Sequence, residues 1–493
     1  MKRAERHSFA RRALAAVGAA ALALLGAVSV GSAAQAVAAP DISNIVGTTG
    51  SLTIHKHAGD PGSAGDGTVV TSPASVEALG AGLDGVQFSL QRVTYNGSAI
   101  DLTTAAGWDQ AQGATSANVS TAPYGLVPAA TPSVTTAGGG VATADDLPFG
   151  LYLVVETDPG PNPVVSPAQP FLVSVPYPEA SDSSWLYDVH VYPKNKLNTT
   201  VPTKTVADPE GLVLGSTVNW TVTAPVPALG IGDTYRKFVV TDQLDTRLTL
   251  SAVAVALDGE PLTLGTDYTL QPAALPAPNG PNTVVTLTPA GLEQLAGKSA
   301  VTVELSTQVT ALGSGETGGK ISNRAVVNVN DSIRETDRPQ TNWGPLRIVK
   351  TAAQQPNRTL VGAEFTLHET KGGPEVAGVG TLTSDANGVV SVAGLWVGNG
   401  ATLTKTYWVR ETQAPAGYVL PAGDAAWTQV TVTAGDAASV AAVSIQNTQQ
   451  RGLNLPLTGS TGTTAFMAGG AALMLIAVGS ALTAARRKRG AQR

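Results

Sequence analysis

Between residues 41 and 452 the chain alternates short runs rich in Val, Ile, Thr, Leu and aromatic residues with clusters of Gly, Pro, Asn and Asp. Ser51-Leu-Thr-Ile-His-Lys56, Gly85-Val-Gln-Phe-Ser-Leu90 and Leu151-Tyr-Leu-Val-Val-Glu156 are examples, as are Val218-Asn-Trp-Thr-Val-Thr223, Val301-Thr-Val-Glu-Leu305 and Ala325-Val-Val-Asn-Val329. Runs of this kind, separated by turn residues, predict strands, and a long series of them predicts β-sandwiches. No four-turn amphipathic helix stands out; Ala290 to Gly297 is at most a short one. The Thr- and Gly-rich stretch from Ala111 to Gly140 reads as a long surface excursion. The fold class is all-β, built from Ig-like sandwiches in tandem.

A divergent repeat sets the domain boundaries. The segment Leu52 to Asn195 starts with a strand carrying Lys56, passes Gly85-Val-Gln-Phe88, and reaches Gly150-Leu-Tyr-Leu-Val-Val-Glu156-Thr. The segment Leu346 to Asn447 starts with a strand carrying Lys350, passes Gly362-Ala-Glu-Phe365, and reaches Tyr407-Trp-Val-Arg-Glu411-Thr. Between them the order differs: a Lys204 strand, then Val239-Val-Thr-Asp242-Gln-Leu244, then Ile321-Ser-Asn323-Arg-Ala325. Three domains are expected, at 40–195, 196–345 and 346–452.

The two ends depart from this pattern. A basic start, Lys2 to Arg12, leads into an apolar run from Ala13 to Val30 and then small residues with A-x-A steps. That order predicts a secretory signal peptide over 1–39, with Ala34-Gln35-Ala36 and Ala36-Val37-Ala38 as alternative cleavage sites. In the last segment, 453–493, Leu455-Pro456-Leu457-Thr458-Gly459 precedes an apolar stretch from Ala465 to Ala485 and the basic cluster Arg486-Arg487-Lys488-Arg489. About 20 apolar residues suffice to cross a bilayer as a helix, and the basic cluster fits a cytoplasmic stop. The pentapeptide matches LPxTG, the signal read by sortases of Gram-positive bacteria. A sortase cysteine attacks the Thr458 carbonyl and releases Gly459 onward, so the membrane holds only the precursor.

Composition narrows the chemistry. The chain is 43% hydrophobic, enough for real cores, and only 13% charged. The net charge is −6, but the basic ends carry +4 over 1–39 and +5 over 460–493, leaving −15 between them. Such an acidic body argues against a nucleic-acid partner. Cysteine is absent, which excludes disulfides, thiolate metal sites and cysteine nucleophiles. His55 and His57 share a strand face, but neither a carboxylate nor a third histidine is expected beside them, so no metal or cofactor is expected. The scattered histidines, with no G-x-S-x-G elbow or P-loop, offer no hydrolase centre.

Two further motifs carry a family resemblance. Tyr407-Trp-Val-Arg-Glu411-Thr-Gln-Ala-Pro415-Ala-Gly-Tyr418 resembles the E-box, YxLxETxAPxGY, of collagen-adhesin B-type (CnaB) domains in Gram-positive pilins, with Val409 in place of Leu. Trp185-Leu-Tyr-Asp-Val189-His-Val191-Tyr192-Pro193-Lys194-Asn195 resembles the pilin motif, WxxxVxVYPK. Together with LPLTG, these make the chain similar to the shaft subunits of sortase-assembled fimbriae of the Actinomyces and Corynebacterium kind. The resemblance implies three tandem CnaB-type domains and a structural subunit rather than an enzyme. It implies a pilus-specific class C sortase that joins Thr458 to Lys194 of the next identical subunit. It also implies a housekeeping sortase that passes the polymer to peptidoglycan, a tip pilin, a host surface ligand, and a wall-anchored fimbria as the location. Pro193 restricts its own φ and holds Tyr192 extended, which projects Lys194 outward, near the groove between the first two domains. Lys196 is the neighbouring alternative. The rival reading is a monomeric wall-anchored adhesin, or a tip or minor pilin, binding a host ligand, which has no need of an acceptor lysine.

Buried lysines supply a second chemistry. A lysine on an inward strand position has its ammonium form disfavoured and becomes a neutral nucleophile, while a carboxyl in the same core is pushed toward its protonated form. If the carboxyl polarises an Asn amide on a neighbouring strand, amine attack and loss of ammonia leave a Lys–Asn isopeptide. In the third domain the set is Lys350, Glu411 and Asn447, with Lys350 on the inward alternation of Leu346-Arg-Ile348-Val-Lys350. In the middle domain it is Lys204, Asp242 and Asn323, with Lys237 and Asp245 as competing neighbours. The first domain carries the same types, Lys56, Glu156 and Asn195, but Asn195 directly follows the acceptor lysine. The resemblance also implies that several shaft pilins lack a bond there. Two crosslinks are expected, Lys204–Asn323 and Lys350–Asn447, with Asp242 and Glu411 as their catalytic acids; Lys56–Asn195 stays a candidate outside that expectation.

Overall fold

The computed structural model describes residues 41–62, 65–179, 184–438, 440–452 and 460–489. The expected signal peptide and the motif Leu455, Pro456, Leu457, Thr458 and Gly459 lie outside the described residues. Contacts divide the chain into two compact units, the second made of 346–392, 406–432 and 440–493, and the first of the remainder.

The first unit contains two sandwiches. In the N-terminal one, Thr49–His55 pairs parallel with Asp188–Val191 and antiparallel with Val141–Pro148. The chain then continues as His57–Ala58, parallel to Lys194–Leu197, which pairs antiparallel with Val164–Ser166. The other sheet has Gln87–Tyr95 between Tyr124–Thr135 and Gly150–Asp158, with Phe171–Val175 beyond. Leu52, Ile54, Phe88, Leu90, Tyr152, Val154 and Val189 bring the two inner faces into one buried core.

The second sandwich sets Thr203–Val206, Thr217–Pro225, Ala300–Val309 and Leu248–Leu257 against a sheet ordered Tyr268–Gln271, Asn282–Leu287, Phe238–Gln243, Ala325–Val329, Ser332–Glu335. Period-two alternation decides its faces. Val218, Trp220, Val222 and Ala224 are fully buried, whereas the residues between them are half-buried. Each fully buried Val or Leu contributes about 1.5–3 kcal/mol of transfer free energy, which fixes the register.

One sequence expectation is corrected here and one is given its bounds. The stretch from Ala111 to Gly140 contains the strand Tyr124–Thr135, which pairs with Gln87–Tyr95 from Tyr124↔Tyr95 to Thr135↔Gln87 with a register shift between Ser89 and Gln91. Ala129 is its one buried residue, so no apolar alternation marks it; backbone pairing holds it. The short helix expected within Ala290 to Gly297 is present as Pro289–Glu293, begun by Thr288, whose side chain accepts from the Gly291 N–H.

In the second unit, residues 347–352 of the strand Gln340–Ala352 pair parallel with Ala442–Asn447. The other sheet orders Leu382–Thr383, Glu364–His368, Thr404–Gln413 and Trp427–Thr433. Ile348, Phe365, Leu367, Tyr407, Val409 and Val430 are buried between them. Ser460–Arg489 is a helix whose stretch Phe466–Ala484 is long and apolar enough to cross a membrane.

Candidate functional site

In the second unit Lys350 points inward from its strand and is fully buried, as the alternation from Leu346 predicts. The parallel register pairs Ile445 with Lys350 and Asn447 with Ala352, so Lys350 and Asn447 stand on adjacent strands, one step apart. Glu411 reaches them from the facing sheet. Its Oε2 lies 2.8 Å from Lys350 Nζ, and its Oε1 accepts from Asn447 Nδ2 at 2.6 Å. Lys350 Nζ also donates to Asn447 Oδ1, while Val419 O takes a further bond from Asn447 Nδ2 at 3.1 Å. Burial pulls the Lys350 amine below its usual pKa, and Glu411 opposes that shift.

The first unit repeats this arrangement atom for atom. Lys56 Nζ lies 2.8 Å from Glu156 Oε2 and 2.5 Å from Asn195 Oδ1, and Asn195 Nδ2 donates to Glu156 Oε1 at 2.6 Å. Lys56 and Asn195 are both 0% exposed. Here the lysine stands at the break between Thr49–His55 and His57–Ala58, beside the strand that carries the asparagine, and the glutamate comes from the facing sheet. The Ala168 N–H adds a 2.7 Å bond to Asn195 Oδ1, which polarises that carbonyl. Burial again lowers the lysine's pKa, against the pull of Glu156.

The middle set is wired differently. Asp242 is the register partner of Ala325, whereas Asn323 lies in the link between the strands Lys320–Ser322 and Ala325–Val329, and Lys204 comes from the sheet opposite Asp242. Lys204 and Asp242 form a buried ion pair. Burial raises the Asp242 carboxyl above the ordinary carboxylate range and lowers the Lys204 amine; the pairing opposes both shifts. The Asn323 side chain approaches Asp242 closely enough to favour its ionised form. It is not aligned to hydrogen-bond, however: Asn323 Nδ2, Asn323 Oδ1 and Asp242 Oδ1 are buried without partners. The competing neighbours are engaged elsewhere, Lys237 with Asp331 at 2.7 Å and Asp245 with Arg247 at 2.6 Å.

Lys194 has the opposite setting. Strand alternation turns it outward from the strand on which Asn195 turns inward, and its Nζ donates to Ala78 O at 3.2 Å. Lys196 Nζ is held by Asp60 at 2.7 Å. The histidines need a correction: a third does accompany His55. Parallel pairing brings His190 alongside, with His55 Nε2 2.9 Å from His190 Nδ1, and Tyr192 stacks on the His55 ring at 4.6 Å. Among the described residues no group of three His, Cys, Asp or Glu is placed to hold a metal ion.

The Gly-x-x-Phe runs of the sequence carry a role that local pattern does not reveal. Each buried amine sits over an aromatic ring: Lys56 over Phe88 at 5.7 Å, Lys204 over Trp220 at 5.5 Å, and Lys350 over Phe365 at 5.5 Å. Phe88 and Phe365 are the fourth residues of the two Gly-x-x-Phe runs. The recurring phenylalanine is the wall that keeps water from the recurring lysine. Phe365→Ala should destabilise the third domain by about 3–5 kcal/mol through the cavity it leaves. Thermal unfolding reads this directly, and an unchanged midpoint would remove Phe365 from the packing account.

Comparison with known proteins gives a consistent picture. Residues 47–196 match a family described as Gram-positive pilin subunit D1, N-terminal domain, and residues 344–449 one described as prealbumin-like fold domain. The fimbrial subunit type 2 of Actinomyces naeslundii is 33% identical, over 97% of this chain and 97% of its own. The fimbrial subunit type 1 of Actinomyces viscosus is 27% identical, over 94% and 95% respectively. Among solved structures, the full-length major pilin SpaD of Corynebacterium diphtheriae aligns with a TM-score of 0.59 at 29% identity, covering 82% of this chain and 98% of that one. The major pilin SpaA of the same organism, described as pointing to a modular pilus assembly stabilizing isopeptide bonds, aligns with a TM-score of 0.56 at 26% identity, covering 81% and 100%.

Proposed function

As this chain belongs to the family of actinobacterial shaft pilins, structural subunits of Gram-positive pili, we propose that a class C sortase polymerises it head to tail through Thr458 and Lys194. The sortase cysteine holds the Thr458 carbonyl as a thioester. Lys194 Nζ of the next subunit attacks that carbonyl, the carbon–nitrogen bond forms, the carbon–sulfur bond breaks, and the thiol leaves as the amine loses a proton. A head-to-tail joint that does not close on itself generates a filament. The same thioester chemistry, carried out by a housekeeping sortase, passes the last subunit to peptidoglycan. A tip pilin and host adhesion complete the reading, on a cell-wall-anchored fimbria at the cell surface.

The observation that carries the proposal is the division of labour on one strand, Lys194 outward and Asn195 inward. Lys194 is free of any carboxylate partner within salt-bridge distance among the described residues, while Lys196 is paired. The inward sets support internal crosslinks in three tandem domains, 40–195, 196–345 and 346–452. In each, the lysine amine attacks the Asn Cγ, ammonia leaves, and the acid relays a proton from amine to leaving group. The first set matches the third in every contact between lysine, acid and amide, so we extend the expectation from two bonds to three.

Two variants test the sorting signal. Deleting the chain beyond Gly459 should release soluble monomer into the medium, because the apolar helix retains the precursor for the sortase. Thr458→Ala in the full chain should abolish both polymer and wall attachment, read by blotting wall and medium fractions. Wall-linked Thr458→Ala product would remove the LPLTG assignment.

A further inference from the structure

The pilin-motif strand is covered by the segment 66–82, and the contacts between them converge on Lys194. Gly67 O accepts from the His190 N–H at 2.8 Å, and the Val70 N–H donates to Tyr192 Oη at 2.7 Å. The segment then forms the helix Pro73–Leu79, begun by Ser72, and turns at Gly80. Gly80 has φ +86°, and a Cβ there would lie 2.5 Å from Ala58 O, so the turn requires glycine. It places Gly80 O 3.0 Å from His57 Nδ1 and Ala78 O 3.2 Å from Lys194 Nζ. His57 is the parallel register partner of Lys194. Its ring also stacks on Tyr192, at 6.3 Å between centroids.

We propose that His57 is a positioning residue for the acceptor amine: by donating from Nδ1 to Gly80 O it anchors the end of the Pro73–Leu79 helix, and through Ala78 O it fixes where Lys194 Nζ stands. This rests on the assignment of Lys194 as the acceptor. A carbonyl only accepts, so Nδ1 carries the proton, and Nε2 is left without one in the neutral ring. Burial holds the imidazole below its ordinary pKa, and the charge of Lys194 acts the same way against the Gly80 bond. The ring therefore stays neutral beside the lysine and does not repel it. The chemistry at Lys194 is the acyl transfer above, and His57 takes no part in its bonds. What it supplies is a fixed starting position for the attack, which matters because small misplacements of a nucleophile cost large factors in rate.

The two ring substitutions that separate packing from donation are His57→Phe, which keeps the stack on Tyr192 but cannot donate, and His57→Asn, whose Nδ2 can replace Nδ1. Secreted chains ending at residue 452, which retain every described strand, serve as acceptors for a class C sortase and an LPLTG peptide, with acceptor concentration varied. We expect His57→Phe to lower kcat for the acceptor about tenfold with KM within about twofold, and His57→Asn to recover most of that loss. Equal kcat for His57→Phe and the parent chain would overturn the inference, as would His57→Asn failing as badly as His57→Phe. A parent chain that gives no product, or product on Lys196, overturns instead the acceptor assignment beneath it. Circular dichroism melting distinguishes these outcomes from an unfolded first domain, since the parent and both variants should melt alike.

Discussion

Intact mass spectrometry of residues 41–452, made without any sortase, should return a mass short of the sequence mass by three molecules of ammonia. Each loss reports one Lys–Asn bond: Lys56–Asn195, Lys204–Asn323 and Lys350–Asn447. Glu156→Ala, Asp242→Ala and Glu411→Ala should each restore one ammonia and leave the other two bonds intact. The stability cost should be large. Each bond closes a loop on the order of 100 residues, and by loop entropy such a crosslink stabilises by about 4–5 kcal/mol, an estimate borrowed from disulfides. At roughly 4–8 °C per kcal/mol for a domain of 60–100 residues, loss of the Lys350–Asn447 bond should lower the melting of the third domain by on the order of 20 °C. Removing an acid also leaves its lysine buried without a partner, which adds to the loss. An unchanged mass in any one variant would take that acid out of the mechanism.

The proposed crosslinks would differ in what they do under load. With subunits joined as proposed, tension between them enters at Lys194 and leaves at Thr458. With the bonds in place it runs from Lys194 to Lys204, crosses to Asn323, continues to Lys350, crosses to Asn447, and exits. The strands between those pairs lie outside the covalent path and need not unfold. The first-domain bond is different, because residues before Lys194 precede the point where force enters. Its contribution is to fix the strand that presents Lys194, since Asn195 is the next residue. A chain without cysteine cannot use disulfides for either purpose.

Lys194→Ala has the largest expected effect in the native organism. Wall extracts boiled in SDS should lose their high-molecular-mass ladder completely and show a single monomer band that still reaches the wall. The reason is covalent: an amide between Thr458 and Lys194 survives denaturant, and the neighbouring alternative, Lys196, is engaged by Asp60. Lys196→Ala should leave the ladder intact, and its loss there with Lys194 present would exchange the roles of the two lysines.

Much of this was legible in the sequence where a short-range pattern carries the information. Strand alternation alone turns Lys350 inward, and the same alternation buries Trp220 between Val218 and Val222. What stayed hidden depends on pairing between distant strands. His190 meets His55 only because residues 51–54 and 188–191 run parallel, a contact no local pattern encodes. Tyr124–Thr135 is hidden for a related reason: only Ala129 is buried, so hydrogen bonds to Gln87–Tyr95 define it and hydrophobicity does not. In the first domain Asn195 directly follows Lys194, and adjacent residues of a strand face opposite ways, so one can serve a buried bond while the other stays accessible.

The most direct test of head-to-tail polymerisation is peptide sequencing of the SDS-resistant ladder by tandem mass spectrometry after trypsin digestion. The account predicts a branched peptide in which the carbonyl of Thr458 is amide-linked to Nζ of Lys194, present in every ladder band above the monomer. A ladder whose branch point lies at another lysine, or whose Thr458 remains joined to Gly459, would contradict it.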